Sequence, residues 1–131
     1  MSQGSGSMRT PIGRVRGLGA AHSGTKDFFR QRLTALAMLL LFIPALVVVM
    51  MLLGRNHAAA VQILGSPLVA VIMILFIIAS AWHMKLGMQV VIEDYVHDEK
   101  LKLAAIIANT FFSAAVGLAS IYAIIKLSSG V

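Results

Sequence analysis

The chain has 131 residues, of which 59% are hydrophobic and only 12% are charged, and its mean hydropathy is +0.89. Soluble domains carry about 25% charged residues, so this composition excludes an ordinary water-soluble core. The absence of cysteine excludes disulfides, thiolate metal sites and cysteine nucleophiles. The net charge of +6, in so apolar a chain, indicates attraction to anionic lipid in a bilayer and no nucleic acid partner.

The first part of the chain, residues 1–32, is rich in Gly, Ser and Arg and contains a single acidic residue, Asp27. It has no clear amphipathic period, and no short apolar segment with a small-residue cleavage site follows it. We therefore predict that residues 1–32 form a flexible basic arm on the cytosolic side of a membrane.

Three long apolar blocks follow the arm and predict transmembrane helices over residues 33–53, 67–93 and 103–127. About 20 apolar residues suffice to cross the hydrocarbon core of a bilayer. Ser66 and Pro67 open the second helix in the way typical of an N-cap residue followed by proline. In the third helix, we expect close helix packing at small residues, namely Ser113, Ala114, Gly117 and Ala119. The predicted fold is an all-α integral membrane protein, with a three-helix transmembrane domain over residues 33–131.

The distribution of Lys and Arg predicts the orientation. The arm holds six of these residues and the loop after the second helix holds two, whereas Arg55 and Lys126 are the two on the opposite side. By the positive-inside rule, the N-terminus lies inside and the C-terminus outside. Without a clear transit peptide, we expect a bacterial inner membrane, with the mitochondrial inner membrane as the alternative.

His83 is the only histidine within a predicted span, where an ionisable residue is costly and marks either a functional site or a packing contact. Helical spacing puts His83 on one face with Ala79, Ser80 and Gly87, which leaves room for a flat cofactor beside the imidazole. No Cys, Asp or Glu lies in register to complete a zinc site. A single imidazole suits an iron porphyrin, whose second axial histidine must then come from another chain.

Asp94 lies eleven residues after His83, which on a helix is within about 20° of the same face and about 16 Å along the axis. Tyr95 follows at the membrane interface, where tyrosine is common as an anchor. A phenol can also donate a hydrogen bond to a quinone carbonyl, and an adjacent carboxylate can relay protons. Spacing alone does not choose between these roles.

The run from His83 to Tyr95 resembles the H-x-x-x-G-(x)6-D-Y motif of the succinate dehydrogenase hydrophobic membrane anchor, with Gly87 and Asp94 in the matching positions. Residues 24–35 also resemble the segment that precedes the first helix in that family. The resemblance implies an anchor subunit of respiratory complex II, a succinate:quinone oxidoreductase. Such a subunit attaches the flavoprotein and iron–sulfur subunits to the membrane and has no succinate-oxidising site of its own.

The resemblance also implies roles for five residues. His83 would be an axial ligand of a haem b shared with a second hydrophobic anchor, the cytochrome b subunit. Arg32 would lie near the haem propionates with Gly87 close to the site, and Asp94 and Tyr95 would line the ubiquinone site beside the iron–sulfur subunit. Two other functions remain open: an anchor without haem, as in some fumarate reductases, and a non-redox scaffold of another membrane complex.

Overall fold

The structure, a computed structural model, describes residues 10–12 and 24–130. Four helices account for most of the described residues: α1 (Gly24–Leu52), α2 (His57–Gly65), α3 (Pro67–Tyr95) and α4 (Glu99–Ser129). The helices α1, α3 and α4 are long and apolar enough to cross a membrane, which confirms the predicted all-α fold with three transmembrane helices. Most of the predicted arm, residues 1–9 and 13–23, lies outside the described residues.

Each long helix extends beyond the apolar block that predicted it. The helix α1 begins at Gly24, so the prediction of a flexible arm is wrong for residues 24–32. The third span begins at Glu99 and not at residue 103. These helices of 29 to 31 residues are about 45 Å long, whereas the hydrocarbon core is about 30 Å thick. Their charged ends therefore continue the helix beyond the hydrocarbon, and hydropathy detects only the part inside it.

The sequence pattern did not predict the short helix α2. Its N-terminus is capped by Asn56, whose Oδ1 accepts a hydrogen bond of 2.9 Å from the backbone N–H of Ala59. Its C-terminus packs on α4, where a Cβ added to Gly65 would lie 3.0 Å from the carbonyl oxygen of Leu127. The Ser128 hydroxyl donates to the Gly65 carbonyl at 3.2 Å. A helix this short is marginal alone, so these contacts stabilise it.

The three spans form a row in which α3 packs against both α1 and α4, while α1 and α4 make no contact with each other within the described part of the chain. Neighbouring spans run antiparallel. The Asn109 Nδ2 on α4 donates a hydrogen bond of 2.9 Å to the Lys85 carbonyl on α3. Only 11% of the most apolar window of each span is buried within the chain. The row therefore presents broad apolar faces to lipid or to other membrane subunits.

Small residues bring α3 and α4 close together, as the sequence predicted. Ser113 is 4% exposed, and Gly117 is buried at a point where an added Cβ would lie 3.3 Å from the Cβ of Ala81. Ala114 and Ala119 are exposed, so close approach of a neighbouring helix at these two positions stays a prediction. The contact follows one face of α4, which Ser113 and Gly117 share at a spacing of four residues.

Candidate functional site

His83 meets α1 through the hydroxyl of Thr34. The Thr34 Oγ1 lies 3.1 Å from the Nδ1 of His83. The same oxygen lies 2.9 Å from the Arg30 carbonyl oxygen and 3.1 Å from that of Gln31. Thr34 is 8% exposed and His83 is partly buried. A polar pair of this kind joins two helices in apolar surroundings and orients the imidazole.

An open apolar groove of about 260 Å³ lies between α1 and α3 next to this pair. We call it the histidine groove, and its lining residues are Ala35, Met38, Leu39, Phe42, Phe76 and His83. His83 is the only residue in this lining whose side chain has a nitrogen that can bind a metal. His83 is twelve residues from the Tyr95 end of α3 and sixteen from Pro67, or about 18 and 24 Å along the axis, so it lies well inside the span.

Arg32 and Gly87 take different positions relative to the histidine groove. Arg32 is not part of the groove lining, but it lies one turn before Ala35 on the same side of α1. It is exposed, and its guanidinium carbon lies 5.0 Å from the centre of the Phe28 ring. Gly87 lies one turn after His83 but faces Gln31, whose Nε2 would be 3.5 Å from an added Cβ. Gly87 thus allows α1 to pack beside His83 and does not line the groove.

Asp94 and Tyr95 are the last two residues of α3. His83 and Asp94 lie on the same continuous helix, which runs from Pro67 to Tyr95. Tyr95 is 78% exposed and Asp94 is also exposed. Within residues 24–130 the structure gives neither side chain a hydrogen bond or an ion pair. Both groups are therefore available to a partner protein or a ligand at this end of the bundle.

A second groove, also of about 260 Å³, lies between α1 and α3 closer to Tyr95. Its lining is more polar and comprises Asp27, Phe28, Gln31, Leu86, Gln89, Val90 and Glu93. The Gln89 Nε2 donates to Glu93 Oε1 at 2.9 Å, and Asp27 pairs with Arg30 at 4.0 Å. The Gln31 Oε1 is buried without a hydrogen-bond donor among the described residues.

Sequence reasoning missed both Thr34 and this second groove. Gln31 and Thr34 are polar residues three positions apart, and this spacing puts them on one face of α1. That pattern was available in the sequence. The sequence did not show the register that brings this face against His83 and Gly87, because the pairing of two helices depends on side chains from both of them.

Comparison with known proteins gives one family. Residues 6–117 match the model of the succinate dehydrogenase/fumarate reductase transmembrane subunit. The succinate dehydrogenase hydrophobic membrane anchor subunit of Paracoccus denitrificans is 32% identical over 121 residues, which cover 92% of this chain and 93% of the relative. The subunit of the same name from Rickettsia bellii is 32% identical over 116 residues, 88% of this chain and 93% of the relative. No solved structure matches the chain significantly. With most of its length matched to these transmembrane proteins, the chain belongs to the family of succinate dehydrogenase/fumarate reductase transmembrane subunits.

Proposed function

We propose that the chain is the membrane anchor of a succinate:quinone oxidoreductase, that His83 supplies one axial ligand to a haem b, and that Asp94 and Tyr95 form part of the ubiquinone-reduction site. The two relatives named as membrane anchor subunits support the general role. The observation that carries the haem assignment is His83 itself, held on one ring nitrogen by Thr34 at the edge of an apolar groove.

The donor set fits a porphyrin better than a bare metal ion. Over residues 10–12 and 24–130, no three His, Asp or Glu side chains come close enough to hold a metal ion. A haem brings four equatorial nitrogens of its own, so one imidazole from this chain and one from another are sufficient. The remaining histidine groove residues are apolar and suit the flat face of the macrocycle. Arg32, one turn before Ala35 on α1, suits a propionate. When bound, the group supplies one-electron redox chemistry.

The second axial ligand fits a second anchor subunit. Besides His83, the described residues include His57 at the start of α2 and His97 after α3, and both are exposed outside the long spans. The histidine groove is open on the side away from α1 and α3, where a helix of the second anchor, the cytochrome b subunit, would complete it. The broad apolar faces of the row provide the surface for that contact.

The exposed positions of Asp94 and Tyr95 support a quinone site that this chain builds only in part. The Tyr95 phenol can donate a hydrogen bond to a quinone carbonyl, and the Asp94 carboxylate can relay a proton beside it. An exposed pair does not exclude water alone, so a partner must cover it. The iron–sulfur subunit is that partner in this proposal, with the flavoprotein bound behind it.

The orientation proposed from the charge count places Asp94, Tyr95 and the start of α1 on the inner side of a bacterial inner membrane. Asp27, Arg30 and Arg32 then lie near the inner headgroups, which agrees with a helix that continues beyond the hydrocarbon. The soluble subunits would bind on this side, and the mitochondrial inner membrane, with the matrix inside, gives the same geometry.

The test is His83→Ala in the purified complex. The wild-type complex should have the absorbance of a low-spin b-type haem, and the variant should lose it or turn high-spin, because an iron–nitrogen bond is removed. Succinate oxidation with an artificial acceptor should survive where the complex assembles. His97→Ala is the matched control and should keep the wild-type spectrum, since His97 is exposed outside the spans.

A wild-type complex without b-type absorbance would favour the anchor without haem. An unaltered low-spin spectrum in His83→Ala would assign His83 to packing. A chain that purifies without flavoprotein or iron–sulfur subunits would favour the non-redox scaffold.

A further inference from the structure

The hydroxyl of Thr34 has three polar neighbours but only one hydrogen. It lies 2.9 Å from the Arg30 carbonyl oxygen, 3.1 Å from the Gln31 carbonyl oxygen and 3.1 Å from His83 Nδ1. Carbonyl oxygens only accept hydrogen bonds, whereas a hydroxyl offers one donor and two lone pairs. The single Thr34 hydrogen is therefore directed to the carbonyls of its own helix.

The direction of the hydroxyl hydrogen determines the state of the imidazole. If Thr34 donated to Nδ1, its oxygen would lie 2.9 Å from the Arg30 carbonyl oxygen and 3.1 Å from the Gln31 carbonyl oxygen, with no hydrogen between the oxygens of either pair. The consistent arrangement has His83 Nδ1–H donating to Thr34 Oγ1. In the neutral ring this leaves the lone pair on Nε2, the nitrogen that is free to bind a metal.

We propose that Thr34 is a positioning residue that fixes the tautomer and the ring plane of His83 for iron binding, an inference that rests on the haem ligation proposed above. Thr34 acts through His83 and does not itself contact the iron. The Thr34 hydroxyl is bonded to the preceding turn of α1, and Thr34 is only 8% exposed, so its position is well defined by its surroundings. Ala35, the next residue of α1, and Met38, one turn after Thr34, line the histidine groove.

Removing the hydroxyl should alter the metal site without removing the ligand. A hydrogen bond from the second ring nitrogen of a metal-binding histidine raises its basicity, and losing such a partner typically costs roughly 10–100-fold in metal affinity or activity. A more basic imidazole stabilises ferric over ferrous iron. We therefore expect Thr34→Val to lower haem retention by roughly tenfold or more and to raise the haem midpoint potential.

The experiment compares variants in the purified complex by low-temperature electron paramagnetic resonance, redox titration and haem loss to apomyoglobin. The resonance g values report the orientation of the axial rings. Thr34→Val keeps the shape of threonine and removes the hydroxyl, while Thr34→Ser keeps the hydroxyl and should retain the wild-type values. Thr110→Val is the matched control, because the Thr110 hydroxyl makes the same bond to its own helix, 2.9 Å to the Ile106 carbonyl, without reaching a histidine.

Shifted g values, a raised potential and faster haem loss in Thr34→Val, but not in Thr34→Ser or Thr110→Val, would support the proposal. If Thr34→Val fails to assemble, Thr34→Ala against Thr34→Ser makes the same comparison. Wild-type values in Thr34→Val or Thr34→Ala would overturn the role of Thr34 while the haem remains dependent on His83. A haem that survives His83→Ala would instead remove the ligation on which this inference rests.

Discussion

Close packing between α3 and α4 at Gly117 gives a stability prediction that depends on one distance. A Cβ added at Gly117 would lie 3.3 Å from the Cβ of Ala81, whereas carbon atoms pack best at about 3.5–4.0 Å. Alanine therefore needs a shift of only a few tenths of an ångström. Leucine would add three further carbons to a contact that is already filled, and overpacking of this kind costs about 1–3 kcal/mol.

The matched control is Ala115→Leu on the same helix. Two residues correspond to about 200° around a helix, so Ala115 points away from the Gly117 face. It lies among strongly exposed neighbours, Phe111 at 72% and Leu118 at 68%. Leucine at this position should change the free energy of unfolding by no more than about 0.5 kcal/mol.

The assay is heat denaturation of the purified complex in mild detergent, followed by a native gel that reports how much of the chain remains assembled. Gly117→Leu should lower the midpoint temperature clearly, Gly117→Ala only slightly, and Ala115→Leu not at all. Equal midpoints for the two leucine variants would refute the inference that close contact with Ala81 stabilises the bundle.

Two further predictions follow from the Tyr95 end of the bundle and from the charge pattern. Tyr95→Phe should leave assembly and the haem spectrum intact but slow succinate:quinone turnover. The substitution removes only a hydroxyl donor, and Tyr95 is already 78% exposed. Unchanged turnover would leave Tyr95 as an interfacial anchor. A reporter enzyme fused after Val131 should be active in the periplasm and one fused after Lys100 in the cytosol, and the reverse pattern would invert the proposed orientation.

The sequence predicted the number of spans and their centres because a hydrocarbon environment requires long runs of apolar side chains. It failed at the ends of the helices for the same reason. Residues such as Lys26 and Arg30 are too polar for hydrocarbon, yet nothing in them opposes a helix in the headgroup region. The helix α2 was missed because its stability comes from contacts between Gly65 and the far end of α4, which no local pattern contains.

The candidate site was predictable in its residues but not in their surroundings. His83 stood out because an ionisable group is rare inside a span. Its partner Thr34 did not, because threonine is tolerated in membrane helices by bonding to its own backbone. Only the register between α1 and α3 reveals that the same hydroxyl also meets an imidazole. The missing side chain of Gly87 likewise suggested space for a cofactor, whereas in the structure Gln31 lies beside Gly87.

Lys85, two residues after His83, is a second basic candidate for a haem propionate beside Arg32, and the helix faces distinguish the two. Lys85 lies four residues after Ala81, which contacts Gly117 of α4, so Lys85 belongs to the α4 side of α3 and is about 200° from His83. Arg32 instead lies on α1 one turn before Ala35, which lines the histidine groove, and so on the same side of that helix.

We therefore expect Arg32→Gln to reduce the ratio of haem to protein in the purified complex and Lys85→Met to leave it unchanged. Arg30→Gln removes a charge at nearly the same depth but on another face of α1, where Arg30 lies 4.0 Å from Asp27, and it serves as the control. Quantifying haem as its pyridine complex measures the ratio. A loss in Lys85→Met with none in Arg32→Gln would mean that the macrocycle lies on the α4 side of α3, which would contradict the histidine groove as its site.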